Sequence, residues 1–411
     1  MPAPESSSPL LDAIEHQDKI FWTSFSILQE AIAQRVFPAA SIAVTHCSCL
    51  IALKTFGHFI FDDDPSAPSF SRSSREGGDF DVKPSTLFDL ASLTKVVATT
   101  AMAMILYDRG LLDLDAPVAA IIPEFTNDTA KDPRRRNVSF RQLLTHSSGL
   151  PAYEKLFLKA RTRDELLRAA FTTPLATDPA TRADYSDIGF IILGIALERL
   201  ADEALDTFCR REIFAPLTMT STTFNPPPEL RAQIPPTADE RERGAPARET
   251  PAQHDSRFTS QKAGGTFRQK IIQGEVQDEN AFILGGVAAH AGLFSPARDL
   301  AKFAHAMLVG GRPILRPETI ALFTRREPAP RGASRALGWD TPSTPSQSGK
   351  YFSPQSYGHL GYTGTSLWID PIRQLSVTLL TNRTWPDCSN HAIKKVRPRF
   401  HDAVIEALEK R

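Results

Sequence analysis

The chain has 411 residues, 41% of them apolar, enough for a sizeable core and, at roughly 150 residues per domain, for two or three domains. Lys plus Arg number 47 and Asp plus Glu number 47, so the formal net charge is zero. That balance argues against a protein whose main task is to grip nucleic-acid phosphates or an anionic membrane, since both need a basic surplus.

The longest apolar run, residues 96–107, is about a dozen residues and falls short of the ~18 that span a bilayer, so no transmembrane helix is expected. The opening stretch, MPAPESSSPLLDAIEHQDK, carries neither the basic start nor the apolar segment of a secretory signal. A cytoplasmic location is the expectation, or a periplasmic one if a leader was trimmed. Four cysteines in a chain this long do not make a disulfide framework. Cys47 and Cys49, flanked by His46 and His58, lack the CxxC or HxxxH spacing of a metal site, and Cys209 and Cys388 read as idle thiols.

In chain order, a helix is expected near residues 19–34. Apolar runs at 39–44 and 50–53 then read as two strands of a hairpin, with Cys47-Ser48-Cys49 at its turn. A long helix covers about 92–108 and stops at Gly110. Another begins at Ser139, where Ser139 and Gln142 form a capping-box pattern, and an apolar helix covers about 188–200. Residues 225–274, opening on Pro226-Pro227-Pro228, are dense in proline, charge and small polar side chains. They read as a long excursion, expected to lie over a cleft as a lid. Beyond it come a helix near 298–309, strands at 366–369 and 375–381 separated by the turn Asp370-Pro371, and a last helix at about 392–408. Strands at both ends with helices between imply an α/β (α+β) fold. Residues 1–87 and 295–411 would form a discontinuous sheet domain, and 88–294 a mainly helical one carrying the excursion.

The chain has no G-x-S-x-G elbow, no P-loop, no G-x-G-x-x-G and no H-E-x-x-H, which disfavours an ordinary α/β-hydrolase, a P-loop NTPase and a zincin. One S-x-x-K is present, Ser92-Leu93-Thr94-Lys95. With 31 serines and 14 lysines, chance alone gives about one such spacing, so its context has to carry the weight. Ser92 opens a helix that is apolar almost all round, and the i, i+3 spacing sets Lys95 on the same face one turn on. The helix N-terminus and desolvation both push a lysine's pKa down there, as a general base needs. The bland alternative has Ser92 capping the helix and Lys95 reaching out to solvent.

The segments DLASLTKVVATTAMAMILYDRGLLDLDAPV, SFRQLLTHSSGLP, DYSDIGFIILG, GGVAAHAGLFSPARDLAKFA and GHLGYTGTSLWIDP follow in that order. Together they resemble the serine β-lactamase and penicillin-binding-protein superfamily, in particular its class C β-lactamase-like serine hydrolases. The resemblance runs from about residue 37 to 407 and implies a β-lactamase/transpeptidase-like fold, with an antiparallel sheet flanked by helices and a helical domain inserted. It implies Ser92 as nucleophile, Lys95 as its partner base and Tyr185, in Tyr185-Ser186-Asp187, as second base. His359-Leu360-Gly361 falls on the family's K-T-G strand. A second register places Tyr362-Thr363-Gly364 there, but the first retains a basic residue. Gly361, Tyr362 and Thr363 then line the oxyanion and substrate site, the oxyanion donors being the backbone N–H groups of Ser92 and Tyr362.

Two departures bear on the substrate. The family has Asn where this chain has Asp187, and an ionised carboxylate can accept but not donate to an amide carbonyl. An anionic Asp187 would also hold Lys95 charged, leaving Tyr185 as the proton acceptor. His359 in place of lysine makes a positive charge there conditional on pH. The expectation is a carboxylesterase acting on a small-molecule ester or peptide-like substrate, with no metal and no organic cofactor. D-alanyl-D-alanine carboxypeptidase or β-lactamase activity is the alternative, and a catalytically weak regulatory protein the second. His146 and Ser147 read as a helix end and turn, His290 as part of a small-residue loop with site lining the lesser alternative, Trp339 and Trp368 as core or pocket wall, and Arg134-Arg135-Arg136 as a solvated turn.

Overall fold

The computed structural model describes residues 9–61, 81–126, 132–241 and 267–410. Its main sheet has six strands: β1 (Leu11–Asp12), β2 (Ala39–His46), β3 (Cys49–Gly57), β9 (Tyr357–Leu360), β10 (Ser366–Asp370) and β11 (Leu375–Thr381). Their order is β1-β3-β2-β11-β10-β9, antiparallel throughout except where β1 lies parallel to β3. The expected hairpin is β2–β3. Its turn residues Cys47 and Ser48 have φ of 47° and 62°, the left-handed pair that a two-residue hairpin turn needs. β2 and β11 are buried on both faces, which is why their sequences are continuous apolar and small runs rather than alternating ones.

One face of the sheet is covered by the helices Trp22–Ala33 and Ile393–Glu409, through Phe25, Leu28, Val377, Trp368, Phe400 and Val404. Helix Ala297–Leu308 covers the other face. There Ala43, Leu53, Leu367, Ile369 and Leu380 merge with the apolar residues of the helical part into one core, which crosses the boundary expected near residue 88. Each fully buried Leu or Phe contributes on the order of 1.5–3 kcal/mol. Pro398 lies inside the C-terminal helix and cannot donate to the Lys394 carbonyl, which accepts instead from Gln347 Nε2 at 3.0 Å.

A smaller three-stranded sheet, β4 (Phe88–Asp89), β8 (Leu293–Ser295) and β5 (Thr223–Phe224), joins the two parts. It fixes the chain just before Ser92 beside the edge strand β9. The helix expected at 92–108 is regular only from Ala101 to Asp108. Ala91–Leu93 is a 3-10 turn and Lys95–Thr100 a π segment, the irregularity typical of helices that carry a site. Ala91 is held at φ 46° while its N–H donates to the Asp89 carboxylate at 2.8 Å, so Ser92 follows a strained residue and does not cap the helix.

The excursion at 225–274 is rooted by a short ladder between β6 (Ala238–Asp239) and β7 (Ile271–Ile272), and by a buried ion pair between Glu240 and Arg268 at 3.1 Å. Its middle, 242–266, on which the lid expectation chiefly falls, lies outside the described residues. Arg135 departs from the solvated turn expected of it. It is buried, donates to the carbonyls of Phe125 (2.7 Å), Thr173 (2.6 Å) and Phe171, and lies 4.0 Å over the Phe125 ring. Among the described residues no helix is long and apolar enough to cross a membrane.

Candidate active site

Three segments converge: the turn at Ser92, the loop that leads into helix Asp187–Ala201, and the end of β9. Ser92 is half-buried and Lys95 fully buried, and Lys95 Nζ donates to Ser92 Oγ at 3.0 Å and to the His290 carbonyl at 3.0 Å. The bland alternative, a lysine reaching out to solvent, does not hold. The same ammonium pairs with Asp187 Oδ1 at 2.6 Å and sits 4.9 Å over the Tyr185 ring.

Helix Asp187–Ala201 begins where it does because Ser186 caps it, its Oγ accepting from Gly189 N–H at 3.0 Å and donating to the Pro151 carbonyl at 2.7 Å. Asp187 therefore occupies the first helical position, where a carboxylate is favoured, and faces Lys95. His146 anchors the same loop through Nδ1, which accepts from Ser186 N–H at 2.9 Å, while its ring lies 4.6 Å from Tyr185 and 5.0 Å from Phe190.

Burial alone would lower the Lys95 pKa, but the negative charge of Asp187 and its contact with Tyr185 outweigh it and raise the ammonium above its usual range. The downward push expected from helix and burial is reversed, and the lysine is held charged. Burial likewise raises the Tyr185 phenol. The Lys95 charge pulls it down, while that of Asp187 pushes it further up.

His359 is buried in β9, opposite Leu367. Its Nδ1 lies 2.8 Å from the Leu360 carbonyl, so the proton sits on Nδ1, and Nε2 keeps a bare lone pair with no hydrogen-bond partner among the described residues. Burial, with the charges of Lys95 and Arg335, keeps its pKa well below the ordinary histidine value. The charge expected to come and go with pH at this position is absent, and His359 is neutral. His146 is neutral for the same reasons, burial first and then Arg335 and Lys95.

After β9 the chain turns tightly. Gly361 N–H donates to the Thr365 carbonyl at 2.7 Å, and Tyr362 is half-buried. Thr363 departs from its expected place against substrate. Its hydroxyl is fully buried and donates to the Asp89 carbonyl at 2.7 Å, while Thr365 Oγ1 donates to the Leu90 carbonyl at 2.9 Å. Both threonines thus tie the β9 turn to the segment that leads into Ser92.

Three residues escaped the sequence reading. Arg335 places a permanent cation 5.4 Å over the Tyr185 ring and pairs with Asp340, and only the fold brings position 335 to the cleft. Asp89 holds Ala91 and Gln277, its second carboxylate oxygen accepting from Gln277 N–H at 2.7 Å; burial pushes its pKa up to about 6. Asp278 pairs with His290 at 2.9 Å behind the Lys95 acceptor carbonyl. The ring of His290 is engaged by Asp278, and it is the backbone of His290 that meets Lys95. Trp339 and Trp368 are core, as expected.

The family model described as Beta-lactamase matches residues 25–395. A relative from Escherichia coli (strain K12), named "Putative D-alanyl-D-alanine carboxypeptidase", is 33% identical over 317 residues, covering 72% of this chain and 69% of that one. Among solved structures, EstCE1, described as a hydrolase with promiscuous acyltransferase activity, superposes with a TM-score of 0.71 at 20% identity over 94% of this chain and 99% of that one. A penicillin-binding protein homologue from Caulobacter crescentus gives 0.67 at 18% identity, over 94% and 97%. At those identities the structural likeness speaks for the fold, and the sequence matches speak for descent. The chain belongs to the Beta-lactamase family, whose members are serine hydrolases of the β-lactamase and penicillin-binding-protein type.

Proposed function

We propose that this chain works through an acyl-enzyme at Ser92 and prefers esters to amides. The observation that carries the reading is the buried Lys95 ammonium, bonded at once to Ser92 Oγ at 3.0 Å and Asp187 at 2.6 Å. Because Lys95 stays charged, the proton of Ser92 passes to the ionised form of Tyr185, which the adjacent cation stabilises. Ser92 Oγ bonds to the carbonyl carbon, the backbone N–H groups of Ser92 and Tyr362 hold the oxyanion, and the leaving group departs with the Tyr185 proton. Water then releases the acyl group along the same route.

Ester preference is supported by Asp187, an ionised acceptor paired to Lys95 that has no N–H to offer an amide carbonyl. The neutral His359 supports it too, since it presents no cation to a substrate carboxylate. The second reading is a D-alanyl-D-alanine carboxypeptidase. It is favoured by the names of the relatives and by Arg335, a cation close to Tyr185.

Turnover of p-nitrophenyl butyrate by wild type, abolished in Ser92→Ala, is the expected result. Labelling by a fluorescent penicillin with slow release and no ester turnover would favour the carboxypeptidase instead. Asp187→Asn restores an amide donor and is expected to speed acylation by penicillin; no gain counts against the role given to Asp187.

A further inference from the structure

The turn after β9 is gripped from behind by two buried guanidinium groups. Arg397, on the C-terminal helix, is 2% exposed and donates through Nη2 to the carbonyls of Gly361 and Thr365, both at 2.8 Å. Arg383 donates through Nε to the Tyr362 carbonyl at 2.8 Å and lies 4.6 Å over the Tyr362 ring. Among the described residues neither arginine has a carboxylate partner. Arg383 also donates through Nη1 to the carbonyls of Cys388 and Asn390, both at 3.2 Å. Buried arginines are ordinarily paired with acids, so two whose bonds go to carbonyls, three of them in one turn, call for a reason.

The Gly361 carbonyl and the Tyr362 N–H belong to one planar peptide group, and in a trans peptide they point in opposite directions. A cation bonded to that carbonyl fixes the plane of the group. It also draws electron density toward the oxygen, and this makes the N–H on the far side a stronger donor. The effect is large where the surroundings exclude water, as they do around Arg397. We propose that Arg397 is a positioning residue for the oxyanion hole: it holds the Gly361–Tyr362 peptide in place and polarises it, so that the Tyr362 N–H binds developing negative charge more tightly than it binds a neutral carbonyl. This rests on the reading of that N–H as an oxyanion donor. Burial pushes the Arg397 pKa down to about 9, which leaves the group charged at neutral pH.

The test is steady-state hydrolysis of p-nitrophenyl butyrate by the full-length protein, with active sites counted by fluorophosphonate titration. Arg397→Met is expected to lower kcat per titrated site about 10- to 100-fold with KM held within about twofold, the mark of an interaction made only in the transition state. Arg397→Lys is expected to recover most of the loss, since an ammonium can still reach one of the two carbonyls. If Arg397→Met does not fold, Arg397→Lys is measured alone and a fall in kcat of about 3- to 10-fold is expected. An unchanged kcat per site in Arg397→Met, or in Arg397→Lys where that is the only variant to fold, overturns the proposal, as does a loss confined to KM, because a merely structural role lowers the number of sites and leaves each one intact. Ser92→Ala separates the two ideas. Full turnover in that variant removes the acyl-enzyme reading and this proposal together, whereas a dead Ser92→Ala beside an unchanged Arg397→Met overturns this proposal alone.

Discussion

The electrostatics of the site turn on one carboxylate. Asp187 offsets the desolvation of Lys95 and holds it as a cation, and with that charge Lys95 stabilises phenolate at Tyr185. Both groups are held protonated at neutral pH, so kcat/KM for an ester is expected to climb through the alkaline range. Asp187→Asn removes a charge that pushes the Tyr185 phenol up, and the alkaline limb moves to lower pH. A pH–rate profile of the two proteins checks this, and an unmoved or upward-shifted limb contradicts it. Away from the cleft, Arg135→Met strands three carbonyls that Arg135 now satisfies, those of Phe125, Phe171 and Thr173. It is expected to cost about 2–4 kcal/mol in urea unfolding. A loss below about 0.5 kcal/mol would show that those carbonyls find other donors.

At the scale of elements, the site depends on how the β9 turn is locked against the Ser92 turn. Thr363 and Thr365 bond to the carbonyls of Asp89 and Leu90, and Gly364 completes the turn at φ 100°, where a Cβ would press on the Thr381 hydroxyl and the Arg383 stem. Gly364→Ala is both strained and crowded, and it is expected to lose about 2–4 kcal/mol of stability together with most of any turnover of p-nitrophenyl butyrate. Thermal melts and kinetics on one preparation test the link; full activity in a destabilised variant would show that the turn does not set the site. These couplings explain what was legible in the sequence. The β2–β3 hairpin, the capping box at Ser139, helix Asp187–Ala201 and strands β10 and β11 announce themselves through local pattern and cap chemistry. Ser92, Lys95, Tyr185 and Asp187 stood in recognisable order, and the fold brings them together. The π segment after Thr94, the burial of Arg135 and the inward turn of Thr363 were not legible, because each is fixed by partners tens to hundreds of residues away.

Across the whole molecule, several titratable groups are buried in one form. His401 in the C-terminal helix is fully buried between the Gln347 carbonyl and Ser366 Oγ, and burial pushes its pKa down to about 3. The unfolded chain therefore binds a proton there from about pH 6.5 downward while the folded chain does not, and stability is lost as pH falls through that window. His401→Phe removes this term. Between about pH 6.5 and pH 5, wild type is expected to lose up to ~1.4 kcal/mol per pH unit more than the variant. Equal slopes in urea unfolding would mean that His401 titrates alike in both states. At the same scale, the sheet and the helical part meet at Ser92, the C-terminal helix grips the neighbouring β9 turn through Arg397, and the proposed mechanism requires that the Ser92 side chain become acylated. Peptide mapping by mass spectrometry after brief exposure to a fluorophosphonate tests it most directly. A single adduct is expected on the peptide containing Ser92, absent from Ser92→Ala; an adduct on another residue, or equal labelling of Ser92→Ala, would rule out acylation at Ser92.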